Sequence, residues 1–297
     1  MVQVTDELAG RFRSPEVAAA FRARYDEAMA RWPDDTRAVD VPGPFGTTHV
    51  QICGPADAPP VVLLHGGGGT SAAWFANAGV LGRAHRVHAV DQLGDAGLSV
   101  PSGRPIRRPE DFVAWLDGLL DGLGLESAAF CGHSYGAWLA LSYALHAPDR
   151  VRRLALLDPT DCFGGLAAGY RLRAVPLLVR PTQARARRIL AWEKARAEPP
   201  ADELLVSLAS LGGGEFRGAR LVLPRRPGAA ALRATQVPML VVLAERSRAH
   251  DIGRIGAAAR RLVPGVQVTV LPGAAHHTLP ATAAGPLNEL LTGFLTT

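Results

Sequence analysis

Residues 125–145 read LESAAFCGHSYGAWLALSYAL, and the centre of that stretch, Gly132-His133-Ser134-Tyr135-Gly136, constrains the fold more than any other part of the chain. Ala128-Ala129-Phe130-Cys131 is a short apolar run that reads as a buried strand. Ala137 to Leu141 continues without Gly or Pro and reads as a helix. A strand, a sharp turn carrying a serine, and a helix make a nucleophile elbow. A Cβ at either flanking glycine would collide in so tight a turn. The helix N-terminus behind Ser134 favours negative charge developing beside it. The alternative is a Gly-Ser turn without chemistry; the flanking pattern favours the elbow.

A second glycine-rich loop lies upstream. Val61 to Leu64 is a continuous apolar run, as in strands buried on both faces, and His65-Gly66-Gly67-Gly68-Gly69 follows it. A phosphate loop would continue into Gly-Lys-Ser/Thr, which is absent. The remaining reading is a loop whose backbone N–H groups meet an acyl oxygen. Gly67 N–H and Tyr135 N–H are the expected pair of donors, with His65 a structural hydrogen-bonder.

The rest of the chain alternates. Pro15 to Trp32 reads as an amphipathic helix capped by Ser14. A hairpin, Arg37–Val41 and Thr48–Cys53, precedes the first glycine-loop strand. Val87–Asp91 and Val151–Leu157 read as further strands, and Pro109–Leu123 as a helix with Phe112, Trp115, Leu116, Leu119 and Leu123 on one face. Asp91 and Asp95 fall in the loop after Val87–Asp91; turn-fixing carboxylates are favoured there over catalytic ones. After Asp158-Pro159-Thr160-Asp161 the rhythm breaks. Helices are expected at Thr182–Ala197 and Ala201–Leu211, in an arginine-rich segment with three glycines at 212–214. The rhythm returns with Val237–Ala244, a helix at Ile252–Leu262, a strand at Val266–Leu271, and a closing helix at Leu287–Leu295. This predicts an α/β fold: a mostly parallel central sheet with helices on both faces, and a helical lid inserted after the sixth core strand. The expected organisation is a lead-in helix in 1–35, core in 36–161, lid in 162–234, and core again in 235–297. Reactive groups in such sheets gather at the C-terminal strand ends, where Gly67, Ser134, Asp158 and His276 all fall.

Composition narrows the classes. Hydrophobic residues make up 48% of 297, enough for a sizeable core. No run approaches the roughly 18 apolar residues of a membrane span. Met1 to Arg13 has no apolar leader core, so no secretory signal is expected. Cys53, Cys131 and Cys162 lack metal spacing and read as reduced thiols of a cytoplasmic protein. The net charge of +5 comes from dispersed arginines, Lys194 being the only lysine, with no interleaved aromatic platform. Neither nucleic acid nor membrane is expected as a partner, and no metal or cofactor is called for. A mild preference for anionic substrates is compatible with the charge.

A serine hydroxyl needs a base within hydrogen-bond reach, and the base needs an orienting acid. His276, in the small-residue loop Pro272-Gly273-Ala274-Ala275-His276 after a late strand, is the best base; His277 is the adjacent competitor. The elbow, the HGGGG loop and the PGAAH loop together resemble the α/β-hydrolase superfamily. RWPDDTRAVDVPGPFGTTHVQICGP, DQLGDAGLS and the lid placement are similar to bacterial carboxylesterases of the naproxen-esterase type, from Tyr25 onward. That resemblance implies hydrolysis of a carboxylic ester of a small molecule through an acyl-enzyme. It also implies that the acid follows the Val237–Ala244 strand in a stretch like Gly-Glu-Arg-Asp. Here that stretch is Ala244-Glu245-Arg246-Ser247, so the usual carboxylate is a serine. Asp158, at the end of the preceding core strand, is favoured in its place, since a strand end holds a carboxylate rigidly; Asp161, Glu245 and Asp251 are the alternatives. Two rivals share the scaffold: an acyltransferase, cyclase or thioesterase, and a ligand-binding homologue without turnover. Trp74, Trp138, Phe163 and Tyr135 are candidates either for a pocket wall or for the core.

Overall fold

The computed structural model describes residues 8, 10–218, 222–281 and 284–296. Most of Met1–Arg13, on which the expectation of no leader rests, lies outside them. The strands form one sheet in the order β1-β2-β4-β3-β6-β7-β8-β9. These are β1 (Arg37–Gly43), β2 (Gly46–Cys53), β3 (Pro60–Leu64), β4 (Arg86–Val90), β6 (Ala128–His133), β7 (Val151–Leu157), β8 (Met239–Ala244) and β9 (Gln267–Leu271). A two-residue β5 (Val100–Pro101) pairs with β2. β1 and β2 form the hairpin and join β4 antiparallel. Every pairing from β4 through β3, β6, β7 and β8 to β9 is parallel. The central strands read as apolar runs because both faces are covered: β3, β6 and β8 are almost wholly buried.

The α-helices whose bounds fall within the described residues are α1 (Pro15–Met29), α2 (Phe75–Leu81), α3 (Pro109–Gly122), α4 (Tyr135–His146), α5 (Ala168–Val179), α6 (Gln183–Lys194), α7 (Glu203–Glu215), α8 (Ala229–Ala234), α9 (Ile252–Leu262) and α10 (Ala284–Thr296). One core layer packs α3, α4 and α9 on one face of the sheet. A second packs α2 and α10 on the other. α1 stops at Met29, short of the expected Trp32, because Pro33 disfavours helix in the residue before it. The sequence reading named no helix at α5 or α8. α5 buries no residue and carries Pro176, so no inward apolar stripe marks it. α8 has only 6 residues.

The helices α5 to α8 follow β7, which is the sixth core strand when the two-residue β5 is set aside. α7 does not sit alone over the sheet. Its Leu204, Leu208 and Leu211 share a cluster with Phe21 and Tyr25 of α1 and with Phe12. The lead-in helix therefore buttresses the inserted helices as well as the core. Close approach at the other side of α7 is made possible by glycine: a Cβ on Gly212 would stand 2.6 Å from the Gly68 carbonyl oxygen. Among the described residues no helix is long and apolar enough to cross a membrane. The three cysteines are buried and unpaired.

Candidate active site

β6 delivers Ser134 and α4 leads away from it. Ser134 sits at φ 53°, ψ −109°, a conformation that side chains other than glycine rarely adopt. Such a residue persists only where its surroundings over-determine it. Here they do. The Ser134 N–H donates to the Leu157 carbonyl at 2.9 Å, and its own carbonyl accepts from Trp138 at 3.2 Å and Thr160 at 3.3 Å. The flanking glycines are obligatory, since a Cβ on Gly132 would lie 2.3 Å from the Gly136 oxygen and one on Gly136 2.3 Å from the Leu64 oxygen.

The Ser134 hydroxyl lies 2.9 Å from His276 Nε2 and 3.1 Å from the Thr160 hydroxyl. His276 Nδ1 lies 2.6 Å from Asp158 Oδ2. The carboxylate accepts, so Nδ1 carries the proton and Nε2 of the neutral ring is free to accept from Ser134. Asp158 and His276 are 0% and 2% exposed. Asp158 also accepts from the Ser247 hydroxyl at 2.8 Å and from Ala244 N–H at 3.3 Å. Burial works to raise its pKa. The His276 hydrogen bond, the charges of His276 and His250 and the Ser247 hydroxyl outweigh burial and hold the carboxyl at about 2. His276 is raised: burial opposes its charge, but the Asp158 hydrogen bond and the Asp158 and Glu193 charges prevail. Ser247, at the position where the resemblance implied a carboxylate, thus donates to a carboxylate arriving from the neighbouring strand.

The other carboxylates considered from sequence are engaged elsewhere. Asp161 stands 3.6 Å from the Arg226 guanidinium. Glu245 accepts from Gly273 N–H at 3.0 Å and pairs with Arg246. Asp251 caps α9 through Arg254 N–H at 3.1 Å. Asp91 accepts from Ser71 and Leu98 N–H, both at 2.7 Å, and Asp95 from Gly68 and Ala96 N–H, both at 2.8 Å, so these two hold loop turns. His277 shares a 2.7 Å hydrogen bond with the Tyr170 hydroxyl, while it is His276 that bonds Ser134. His65 bonds the Gly66 carbonyl through Nδ1 and accepts from Gln92 N–H through Nε2. It is a loop pin.

In the glycine loop, Gly68 N–H is taken by Asp95 and Gly69 N–H by the Gly66 carbonyl at 2.9 Å. Gly67 N–H has no acceptor among the described residues. A Cβ on Gly67 would touch that of Tyr135 at 3.7 Å, so the two backbones run side by side. Tyr135 is the first residue of α4, and its N–H has no acceptor within the helix. Gly67 lines the cleft that holds Ser134, and Tyr135 directly follows that serine.

That cleft is lined by Gly66, Gly67 and Ser134, by aliphatic residues including Leu190, Leu205 and Leu279, and by Lys194. The aromatic residues named from sequence do not line it. Trp74 and Trp138 are wholly buried, Phe163 is core, and Tyr135 packs against that core while its hydroxyl bonds the Val222 carbonyl.

Five residues touch this network in ways that the sequence reading did not assign. Glu193 of α6, 0% exposed, accepts from the N–H of His276 at 2.8 Å and of His277 at 3.0 Å. The available signal was its place on the stripe Ala186, Ile189, Leu190, Glu193, which turns inward. His133 donates Nε2–H to the His276 carbonyl at 2.9 Å; burial and the His276 charge push its pKa down to about 3. Thr160 and Ser247 supply the hydroxyls described above. His250, buried beside His276 with its pKa lowered to about 4 by burial, has a ring nitrogen within 4.8 Å of ligand atoms of Asp158 and His276. In that trio Asp158 and His276 already bond each other, an acid–base arrangement.

The sheet order and the serine turn at a strand end define the class. Residues 61–289 match the Alpha/beta hydrolase family, and the chain belongs to it. It is 31% identical over 276 residues to carboxylesterase YbfK of Bacillus subtilis, covering 89% of this chain and 90% of that one. The crystal structure of carboxylesterase CesB (YbfK) from Bacillus subtilis superposes with a TM-score of 0.87 at 28% identity, over 94% of this chain and 98% of that one. Naproxen esterase (carboxylesterase NP) of the same organism gives 0.84 at 26%, again over 94% and 98%.

Proposed function

We propose that the protein hydrolyses a carboxylic ester of a small molecule by a serine mechanism, with Ser134 as nucleophile, His276 as base and Asp158 as the acid. The observation that carries this reading is the unbroken chain of hydrogen bonds from Ser134 Oγ through both nitrogens of His276 to Asp158. The carboxylesterase relatives support the choice of bond.

Ser134 Oγ attacks the carbonyl carbon while His276 Nε2 takes its proton. The carbonyl electron pair moves onto oxygen, where Gly67 and Tyr135 N–H groups receive it. When the bond to the leaving alkoxide breaks, His276 returns the proton to that oxygen. Water then attacks the acyl-enzyme by the same sequence and frees the acid. Asp158 holds the imidazole tautomer and stabilises the imidazolium. The aliphatic cleft suits an apolar acyl group, and residues 162–234 act as its lid. The buried free thiols fit a reducing, cytoplasmic setting.

The test is a fluorophosphonate probe followed by intact mass and peptide mapping, together with product analysis on short-chain aryl esters. One adduct on Ser134 and release of free acid are expected. Absence of both in folded protein overturns the reading.

A further inference from the structure

Six large apolar residues are strongly exposed among the described residues, and four of them lie on α5: Leu172 at 73%, Val175 at 48%, Leu178 at 67% and Val179 at 79%. Leu172, Val175 and Val179 follow three- and four-residue steps, so they form one outward stripe with Leu178 beside it. The helix faces inward with Tyr170, Ala174 and Leu177, which are half-buried. Amphipathicity is therefore inverted, the larger apolar face meeting solvent. Arg171 and Arg180 flank that face and are exposed, Arg173 is exposed but stacks over the Trp192 ring, and Arg187 and Arg188 stand exposed on α6. No carboxylate pairs with any of these five among the described residues. The charge is concentrated here: residues 162–234 carry thirteen Arg and Lys against five Asp and Glu, so the rest of the chain is net acidic. Tyr170 bonds His277, a residue of the cleft wall, which sets α5 at the cleft's rim.

We propose that the outer face of α5 docks onto an anionic lipid–water interface, its Leu and Val side chains entering the headgroup boundary and its arginines meeting lipid phosphates. An interfacial helix needs that pairing of an apolar stripe with cations. A second copy of the chain fits poorly, because a two-fold contact would set the arginine-flanked face, with Arg171 and Arg180, against the same cationic face of the other copy. The expectation of no membrane partner rested on the lack of a spanning segment, which a helix lying in the interface does not need. Such docking is independent of ester hydrolysis and is read by binding alone.

The test is sedimentation of the full chain with vesicles of phosphatidylcholine, with and without phosphatidylglycerol, at about 0.1 M and about 0.5 M salt. Binding to the anionic vesicles is expected, weakened by salt and about tenfold or more weaker in Leu172→Asp/Leu178→Asp. Arg171→Gln/Arg180→Gln, which keeps the apolar stripe, is expected to weaken binding as well. Both substitutions sit on solvent-facing positions, and circular dichroism verifies the fold. Equal binding to neutral and anionic vesicles, or none to either, overturns the proposal. So does a dimer in sedimentation velocity that Leu172→Asp/Leu178→Asp dissolves while vesicles go unbound.

Discussion

The Glu193 carboxylate, carried by an inserted helix, accepts the backbone N–H of His276 at 2.8 Å and that of His277 at 3.0 Å. A wholly buried carboxylate between two N–H donors ties α6 to the turn that presents the imidazole. Its negative charge also favours protonated His276. The insertion therefore reaches the His276 backbone directly, and its Leu190 and Leu205 line the cleft.

Glu193→Gln tests that tie. The amide oxygen replaces one acceptor, and the NH2 group faces a backbone donor where an acceptor stood. Turnover is expected to fall about 10- to 100-fold as the ring loses its position. Loss of the negative charge lowers the His276 pKa, so the acid limb of the rate profile moves to lower pH. A purely structural role would lower the rate and leave that limb in place.

The contact between Ser247 and Asp158 yields a second prediction. Both the Ser247 hydroxyl and His276 Nδ1 address Asp158 Oδ2, at 2.8 and 2.6 Å. A carboxylate at residue 247 would stand within reach of the same imidazole nitrogen. Asp158→Asn is expected to lower kcat by about a hundredfold or more. Adding Ser247→Asp to that variant is expected to recover about tenfold or more of the loss. Ser247→Asp alone sets two carboxylates together in a buried site and lowers activity. Steady-state kinetics on the three variants decides; a double variant no better than Asp158→Asn places the orienting role elsewhere.

Legibility in the sequence follows locality. The elbow and the glycine loop are local: strand, turn and helix are written in consecutive residues, and the fold puts Ser134 and Gly67 at adjacent strand ends. The parallel sheet is local too, as apolar runs separated by helices. Asp158 stood out only because Ser247 occupied the usual acid position and a strand-end carboxylate lay one strand away. Glu193 was illegible because its partners are backbone N–H groups 83 and 84 residues later. α5 escaped because its apolar side chains face outward, which breaks the rule that an apolar stripe points to the core. The aromatic residues beside the elbow proved to be core because α4 is buried on nearly every side.

The Asp95 anchor carries a third prediction. Asp95 takes the Gly68 N–H at 2.8 Å and so fixes the turn that leaves Gly67 N–H unengaged. Burial raises its pKa against the loop hydrogen bonds and the His65 charge. Asp95→Ala frees the loop to bend its donors inward. The effect is expected in kcat, down about tenfold or more, with KM little changed, because a displaced oxyanion donor costs transition-state binding alone. A change confined to KM would show that the loop binds substrate without stabilising the oxyanion.

The last prediction concerns pH and follows from opposite shifts in one pair. In the proposed mechanism His276 must be neutral to take the Ser134 proton, and its pKa is raised because Asp158 and Glu193 outweigh burial. Turnover is therefore expected to rise with pH through a midpoint above the ordinary histidine value of about 6.5. Stability responds to the same groups. The raised His276 contributes fully below about 6.5, and its contribution fades as pH rises through its folded pKa. Asp158, held at about 2, contributes above the ordinary aspartate value, and that contribution is lost as pH falls through the folded one. Thermal unfolding of wild type and Asp158→Asn, followed from about pH 5 down to about pH 2, is expected to show the gap in Tm closing as acid is added. A gap that stays constant across that range would mean that Asp158 does not hold its charge against burial in the folded protein.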